Sequence, residues 1–157
     1  MKIGIISDTH RNIKSIDKAI PYLKECDLII HAGDNIDDAE YIYYATDVLV
    51  KCVKGNCDLY NIDEPYELIF LVKDKKFFLC HGHQYDVKWG YDSLLKIAKD
   101  NNIDIVVYGH THIPVYKKID NIIFINPGST TYPRGGSECG FGILTLYNDI
   151  SYKEIKI

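Results

Sequence analysis

The chain has 157 residues, 46% apolar and 25% charged, with a formal net charge of −4 at pH 7. That length supports one domain over 1–157 with a continuous core, and that composition argues against disorder. The acidic balance argues against a broad nucleic-acid-binding face. It leaves room for a local positive site, because bound divalent ions would supply one themselves.

Apolar runs and turn residues then give the elements in order. A strand over Lys2–Ser7 leads into a helix from about Asn12 to Glu25, with Ile13, Ile16, Ile20 and Leu23 at helical spacing. Asn12 is its expected N-cap, and Pro21 is expected to bend or interrupt it. A strand at Leu28–His31, a helix near Asp37–Thr46 and a strand over Val48–Val53 follow. Near-continuous β-branched runs alternating with helices read as largely parallel strands covered on both faces. Tyr66–Val72 and Lys76–His81 flank a turn at Lys73-Asp74-Lys75. A helix near Asp92–Asp100 precedes a strand over Ile103–Tyr108. Two further hairpins are predicted, Val115–Ile119 with Ile122–Asn126 about Asp120-Asn121, and Phe141–Tyr147 with Ile150–Ile157 about Asn148-Asp149. The expected fold is α/β, two mixed sheets face to face with helices outside, parallel early and antiparallel late.

The five cysteines, at 26, 52, 57, 80 and 139, are odd in number and form no Cys-x-x-Cys pair. Several end apolar runs, where free Cys behaves as a small hydrophobe. They suggest a reducing, cytoplasmic setting. No stretch approaches the ~18 apolar residues of a membrane span, and the first strand is too short for a signal sequence.

Chemistry concentrates at five places, each just after a short apolar run: Asp8-Thr9-His10, Gly33-Asp34, Gly55-Asn56-Cys57-Asp58, His81-Gly82-His83 and Gly109-His110-Thr111-His112. All six histidines lie in or beside these clusters. In open α/β sheets, ligands bind beyond the carboxyl ends of the strands. On an extended segment, side chains two apart point the same way, so Asp8 with His10 and His110 with His112 are expected to form chelating pairs. A mixed imidazole and carboxylate shell suits Mn, Fe, Ni, Co or Zn better than Mg or Ca.

In this order the five motifs resemble the calcineurin-like metallophosphoesterase family over Ile3 to about Ser129. The short length and the segment Asn126-Pro127-Gly128-Ser129 resemble its small prokaryotic phosphodiesterase branch, which implies a four-layer αββα sandwich without a cap domain. By resemblance, Asp8, His10 and His112 would hold a first metal ion and Asn56, His81 and His110 a second, with Asp34 bridging. Asp34, Asn56, His81 and His110 would be the catalytic set. The cofactors implied are two divalent transition-metal ions, Mn²⁺ or Ni²⁺ foremost. The activity implied is hydrolysis of small phosphodiesters by a metal-activated water, whose pKa falls towards ~7 on such ions.

One position departs from the family pattern. Many members carry His where Cys57 stands, oriented by the Asp that follows, to assist the leaving oxygen. A thiol forms weak hydrogen bonds and cannot bring the charge of an imidazolium, so Cys57 is read as a small pocket-lining side chain and Asp58 as structural. His83 is expected to support the site or touch substrate, and His31 to support a ligand carboxylate by hydrogen bonding. Arg134, one of only two arginines beside sixteen lysines, is a candidate phosphate contact. The tyrosines of Tyr41-Ile42-Tyr43-Tyr44 read as packing, with a homo-oligomer contact as the alternative. Two rival functions remain: a phosphomonoesterase or nuclease with the same centre, and a non-catalytic scaffold like the retromer subunit that shares this fold.

Overall fold

The structure, a computed structural model, describes residues 1–60 and 63–157. The first half runs β1 (Lys2–Ile6), α1 (Ile13–Leu23), β2 (Leu28–His31), α2 (Asp37–Thr46) and β3 (Val50–Cys52). A hairpin of β4 (Glu67–Val72) and β5 (Lys75–Cys80) follows, then α3 (Asp92–Asp100), β6 (Ile105–Val107), β7 (Val115–Ile119) and β8 (Ile122–Asn126). The chain closes with β9 (Gly140–Leu146) and β10 (Ile150–Lys156). One sheet has the order β10-β9-β1-β2-β3 and the other β4-β5-β6-β8-β7.

Alternation along the strands builds the layers. Ile3, Ile5, Leu28 and Ile30 from the first sheet meet Phe77, Leu79, Ile105 and Val107 from the second in one buried inter-sheet core. The opposite face of the first sheet packs Ile6 and Ile29 on Ile16, Leu23 and Ile42 of α1 and α2. The outer face of the second packs Phe78, Val106 and Phe124 on Leu94 and Ala98 of α3. The expected αββα sandwich is therefore present, with helices covering both outer faces.

Three details differ from expectation. The sheets are mixed, but parallel pairing is not confined to the early chain, since β6 pairs parallel with β8 as well as with β5. The β7–β8 hairpin places β8 between β6 and β7 and leaves β7 at the edge. Pro21 does not interrupt α1, which continues to Leu23. It stands exposed in the last turn, where its missing N–H removes a single intrahelical bond. In the tyrosine stretch only Ile42 is buried, while Tyr41, Tyr43 and Tyr44 stay substantially exposed. Asn12 caps α1 as predicted, its side-chain oxygen accepting from Ser15 N at 3.3 Å. Among the described residues no helix is long and apolar enough to cross a membrane, and all five cysteines are free thiols.

Candidate metal centre

The parallel strands β1, β2 and β3 point their carboxyl ends the same way, as do β5 and β6 of the facing sheet. The loops that follow them converge at one rim. Ligand atoms of Asp8, His10, Asp34 and His112 lie within 4.8 Å of one another. His81 Nε2 is 3.3 Å from Asp34 Oδ1 and 4.0 Å from Asp8 Oδ1. The His110 ring stands edge-on to that of His81, centroids 5.2 Å apart. Asn56 lines the same cavity of about 230 Å³, although its amide nitrogen turns towards Cys57 Sγ at 3.6 Å.

Of the two expected chelating pairs, Asp8 with His10 comes together and His110 with His112 does not, and neither is built on extended backbone. Asp8, His10, His110 and His112 all have φ between 48° and 66°, the left-handed region, so neither segment is extended. Asp34 shares this conformation. Such backbone is costly for non-glycine residues and persists where surrounding contacts over-determine it. His110 and His112 consequently diverge, His112 joining Asp8 and His10 while His110 joins His81. The glycines before the ligands have a steric reason. A Cβ on Gly109 would sit 2.7 Å from Asp8 Oδ2, and one on Gly55 would collide with Asp34 Oδ1.

Hydrogen bonds hold the candidate ligands by their outer atoms and leave the inner ones free. Asp8 Oδ2 accepts from Ser7 Oγ at 2.7 Å and from His110 N at 3.1 Å, while buried Asp8 Oδ1 faces His112 Nε2 at 3.1 Å and has no hydrogen-bond partner when that nitrogen carries no proton. His81 Nδ1 faces Ala32 O at 2.7 Å and His112 Nδ1 faces Tyr132 O at 2.6 Å. Each is thereby the N–H donor, which turns the Nε2 lone pair inward. His81 Nε2 is buried and without a hydrogen bond. His10 Nε2 and His112 Nε2 lie only 3.3 Å apart. Two lone pairs at that distance repel unless a proton or a cation lies between them. Orphaned oxygen, orphaned imidazole and opposed nitrogens fit a bound divalent ion, in a donor set suited to late first-row metals.

Electrostatics follow the same logic. Burial opposes a proton on His81 and His112, but the nearby Asp34 and Asp8 carboxylates prevail and raise both above the ordinary 6.5. Burial would raise the Asp34 carboxyl, yet His81 and the Cys57 donors hold it well below the usual range. His110 is instead pushed down to about 4, by burial and then by the charges of His81 and Lys88. Without metal, then, both rings hold a proton more readily than a free imidazole, and an incoming ion must displace any proton held there. Metal affinity should rise with pH through these raised values and be lost below them. Calorimetry in buffers of different ionisation enthalpy should detect proton release on metal binding. Binding heats independent of buffer would contradict it.

Asp58 and His31 are anchors behind the ligands. Asp58 Oδ1 accepts from Ile36 N at 2.8 Å and Asn35 N at 3.1 Å, and Oδ2 from Gly55 N at 2.7 Å. With its oxygens engaged by backbone, Asp58 is not free to orient a side chain at position 57. His31 is buried, and burial pushes its pKa down, leaving it neutral. Its Nδ1 accepts from Gly33 N at 3.2 Å, and its Nε2 lies 3.1 Å from Thr9 Oγ1, which donates to Asp38 Oδ2 at 2.6 Å. His83 borders His81, centroids 5.4 Å apart, outside the compact ligand group. Cys57 N and Sγ lie 3.0 and 3.3 Å from the Asp34 oxygens, and burial followed by the Asp34 contact pushes its thiol up to about 11.

Several contributors escaped the sequence reading. Ser7 and Asp38 brace Asp8 and the Thr9–Arg11 turn. Ser129 Oγ donates to Asp8 O at 2.7 Å, Thr131 Oγ1 to Thr9 O at 2.8 Å, and Asn126 Nδ2 to Gly109 O at 2.7 Å. These bonds tie the Asn126–Ser129 segment to two ligand loops. Lys88 and Tyr132 line the cavity beside Arg134. Only their convergence in space reveals the two; no spacing in the sequence does.

A sandwich with such a rim defines a class, and comparison names it. Residues 1–149 match the calcineurin-like phosphoesterase superfamily domain, so the chain belongs to that family. It is 33% identical over 147 residues to phosphodiesterase MJ0936 of Methanocaldococcus jannaschii, covering 82% of this chain and 83% of that protein. A structure described as a novel archaeal phosphodiesterase superposes with a TM-score of 0.82 at 28% identity, covering 100% of both chains. Vps29 from Entamoeba histolytica, solved with Zn²⁺, has a TM-score of 0.79 at 19% identity over 99% of this chain and 98% of its own. At that identity the likeness shows the fold alone. Family membership and the phosphodiesterase relatives support a hydrolase acting on phosphoesters and using divalent metal ions.

Proposed function

We propose that residues 1–157 form one domain, a dinuclear phosphodiesterase acting on small phosphodiesters. The observation that carries this is the orientation of Asp34, whose Oδ2 lies 3.9 Å from His10 Nε2 while Oδ1 lies 3.3 Å from His81 Nε2. One carboxylate thus faces both ligand sets. Asp8, His10 and His112 would hold one ion, Asn56, His81 and His110 the other, with Asp34 shared. Mn²⁺ or Ni²⁺ suits this shell best, with Fe, Co or Zn also compatible. When bound, such ions supply an activated water and neutralise charge on the phosphate. The protein's part is to fix the ligand geometry: Ala32 O and Tyr132 O set two imidazole tautomers, and Cys57 N orients Asp34. The scaffold alternative is less favoured, since no candidate ligand position in the chain is missing.

A panel of aryl diesters, aryl monoesters, cyclic nucleotides and single-stranded DNA, assayed with chelated and Mn²⁺- or Ni²⁺-loaded protein, tests this reading. Metal-dependent diester turnover is expected to dominate. Metal-independent turnover, or preference for monoesters or DNA, would contradict it. Cys57 enters the same assay. Its thiol stays protonated and lies against Asp34, so leaving-group departure rests on the stability of the leaving anion. Nitrophenyl diesters should far outpace alkyl diesters, and Cys57→Ala should change their turnover by less than ~10-fold, about 1.4 kcal/mol. A loss above ~10²-fold with metals still bound would make the thiol a catalytic participant.

A further inference from the structure

The metal cavity has a neighbour. A second hollow of about 340 Å³ lies between the loop after β5, the end of β6 and the start of β7. Its walls are mainly apolar and aromatic, formed by Val87, Tyr91, Tyr108, Ile113 and Val115. Lys88 and Arg134 line both this hollow and the metal cavity, so they stand where the two meet. Among the described residues no carboxylate lines the second hollow, although the chain as a whole is acidic. Neither Lys88 nor Arg134 has an ion-pair partner among the described residues, and Arg134 N donates to His112 O at 3.0 Å, tying its loop to a candidate ligand. The aromatic wall is firm. Tyr108 is 1% exposed, and the Tyr91 ring packs 5.5 Å from Phe124 and edge-on to Tyr108 at 6.2 Å.

Two cations on the boundary suit phosphate oxygens, as Arg offers paired donors and Lys a point charge. Past them, a volume at the lower end of small-molecule pockets, walled by rings, suits a flat apolar group. We infer that this hollow is the subsite for the organic substituent of the phosphodiester and that it selects a flat, uncharged aromatic group, with Lys88 and Arg134 holding the phosphate at its mouth. The assignment rests on the phosphodiesterase reading above and adds the substituent that the site accepts. It also places Lys88 and Tyr91 in substrate recognition, where no sequence motif put them.

The test is titration calorimetry of Mn²⁺-loaded protein with phenylphosphonate and methylphosphonate, which share an anionic head and differ in the substituent. Burying a ring instead of a methyl group should make phenylphosphonate bind about tenfold tighter or better. Ile113→Gln places a neutral polar amide in the hollow at a residue that is 42% exposed, and so should not disturb folding. It should bring the two affinities within about twofold of each other while methylphosphonate binding stays within about threefold of wild type. Ile113→Ala should narrow the gap in the same direction. Lys88→Ala should weaken both phosphonates alike and preserve their ratio. A wild-type ratio near one, or a ratio untouched by both Ile113 variants, overturns the subsite while leaving the metal centre intact. If neither phosphonate binds better with metal than without, the phosphodiesterase reading itself fails and the subsite falls with it.

Discussion

Asp34→Asn should empty both metal positions and lower diester turnover by well over ~10²-fold, since the loss of groups that merely support ligands already costs 10–100-fold. The amide keeps an oxygen for the Cys57 N–H, so the loop geometry has a means of surviving the change. What it lacks is the charge, which Asp34 presents towards His10 through one oxygen and His81 through the other. His83→Ala is the contrasting variant. His83 stands beside His81 and His110, ring centroids 5.4 and 6.1 Å away, and is assigned to neither ion, so metal occupancy should stay near wild type and only turnover should change. Elemental analysis of both purified variants decides between these outcomes. If Asp34→Asn keeps two ions and His83→Ala loses one, the ligand assignment is wrong.

The second large effect is on stability. Asp58→Ala removes the acceptor for the backbone N–H groups of Asn35, Ile36 and Gly55, in a place where Asp58 is only 6% exposed. Each buried donor left unpaired costs ~1–3 kcal/mol, so the loss from three should be on the order of 3–9 kcal/mol, a large share of the ~5–15 kcal/mol of a typical domain. The carboxylate also faces the amino end of α2, a favourable place for negative charge. Asp58→Asn retains one acceptor oxygen and should lose less. Urea denaturation of chelated protein would read both. A midpoint for Asp58→Ala unchanged from wild type would show that the clamp contributes nothing. Because the Gly55–Asp58 turn carries Asn56 and Cys57, Asp58→Ala should also weaken metal binding.

How far the sequence reached depended on the range of the interaction concerned. The hairpin strands Val115–Ile119 and Ile122–Asn126 were predicted to the residue, because Asp120-Asn121 specifies a turn in which both residues adopt positive φ, as they do here. The apolar strands were similarly legible, since near-continuous runs such as those of β1 and β2 mark strands buried on both faces. Parallel pairing of β6 with β8 was not, because it depends on where a later hairpin folds back. At the rim, residue types and order pointed to the ligands, and Asp8 does pair with His10, but the extended backbone expected for both pairs was wrong. The left-handed conformations of Asp8, His10, His110 and His112 come from tertiary bonds, such as those from Ser129 and Asn126, that no local pattern encodes. Ser7 and Asp38 look like ordinary strand-end and helix-start residues until folding places them behind Asp8 and Thr9.

The most direct test of the shared carboxylate is anomalous diffraction from crystals of the Mn²⁺-loaded protein. Two peaks about 3.5–4 Å apart are predicted, the usual separation in two-metal centres. One should lie within bonding distance of Asp8, His10 and His112, the other of Asn56, His81 and His110, with one Asp34 oxygen or both reaching each ion. A single peak among Asp8, His10, Asp34 and His112, or two peaks of which Asp34 touches only one, would contradict the account.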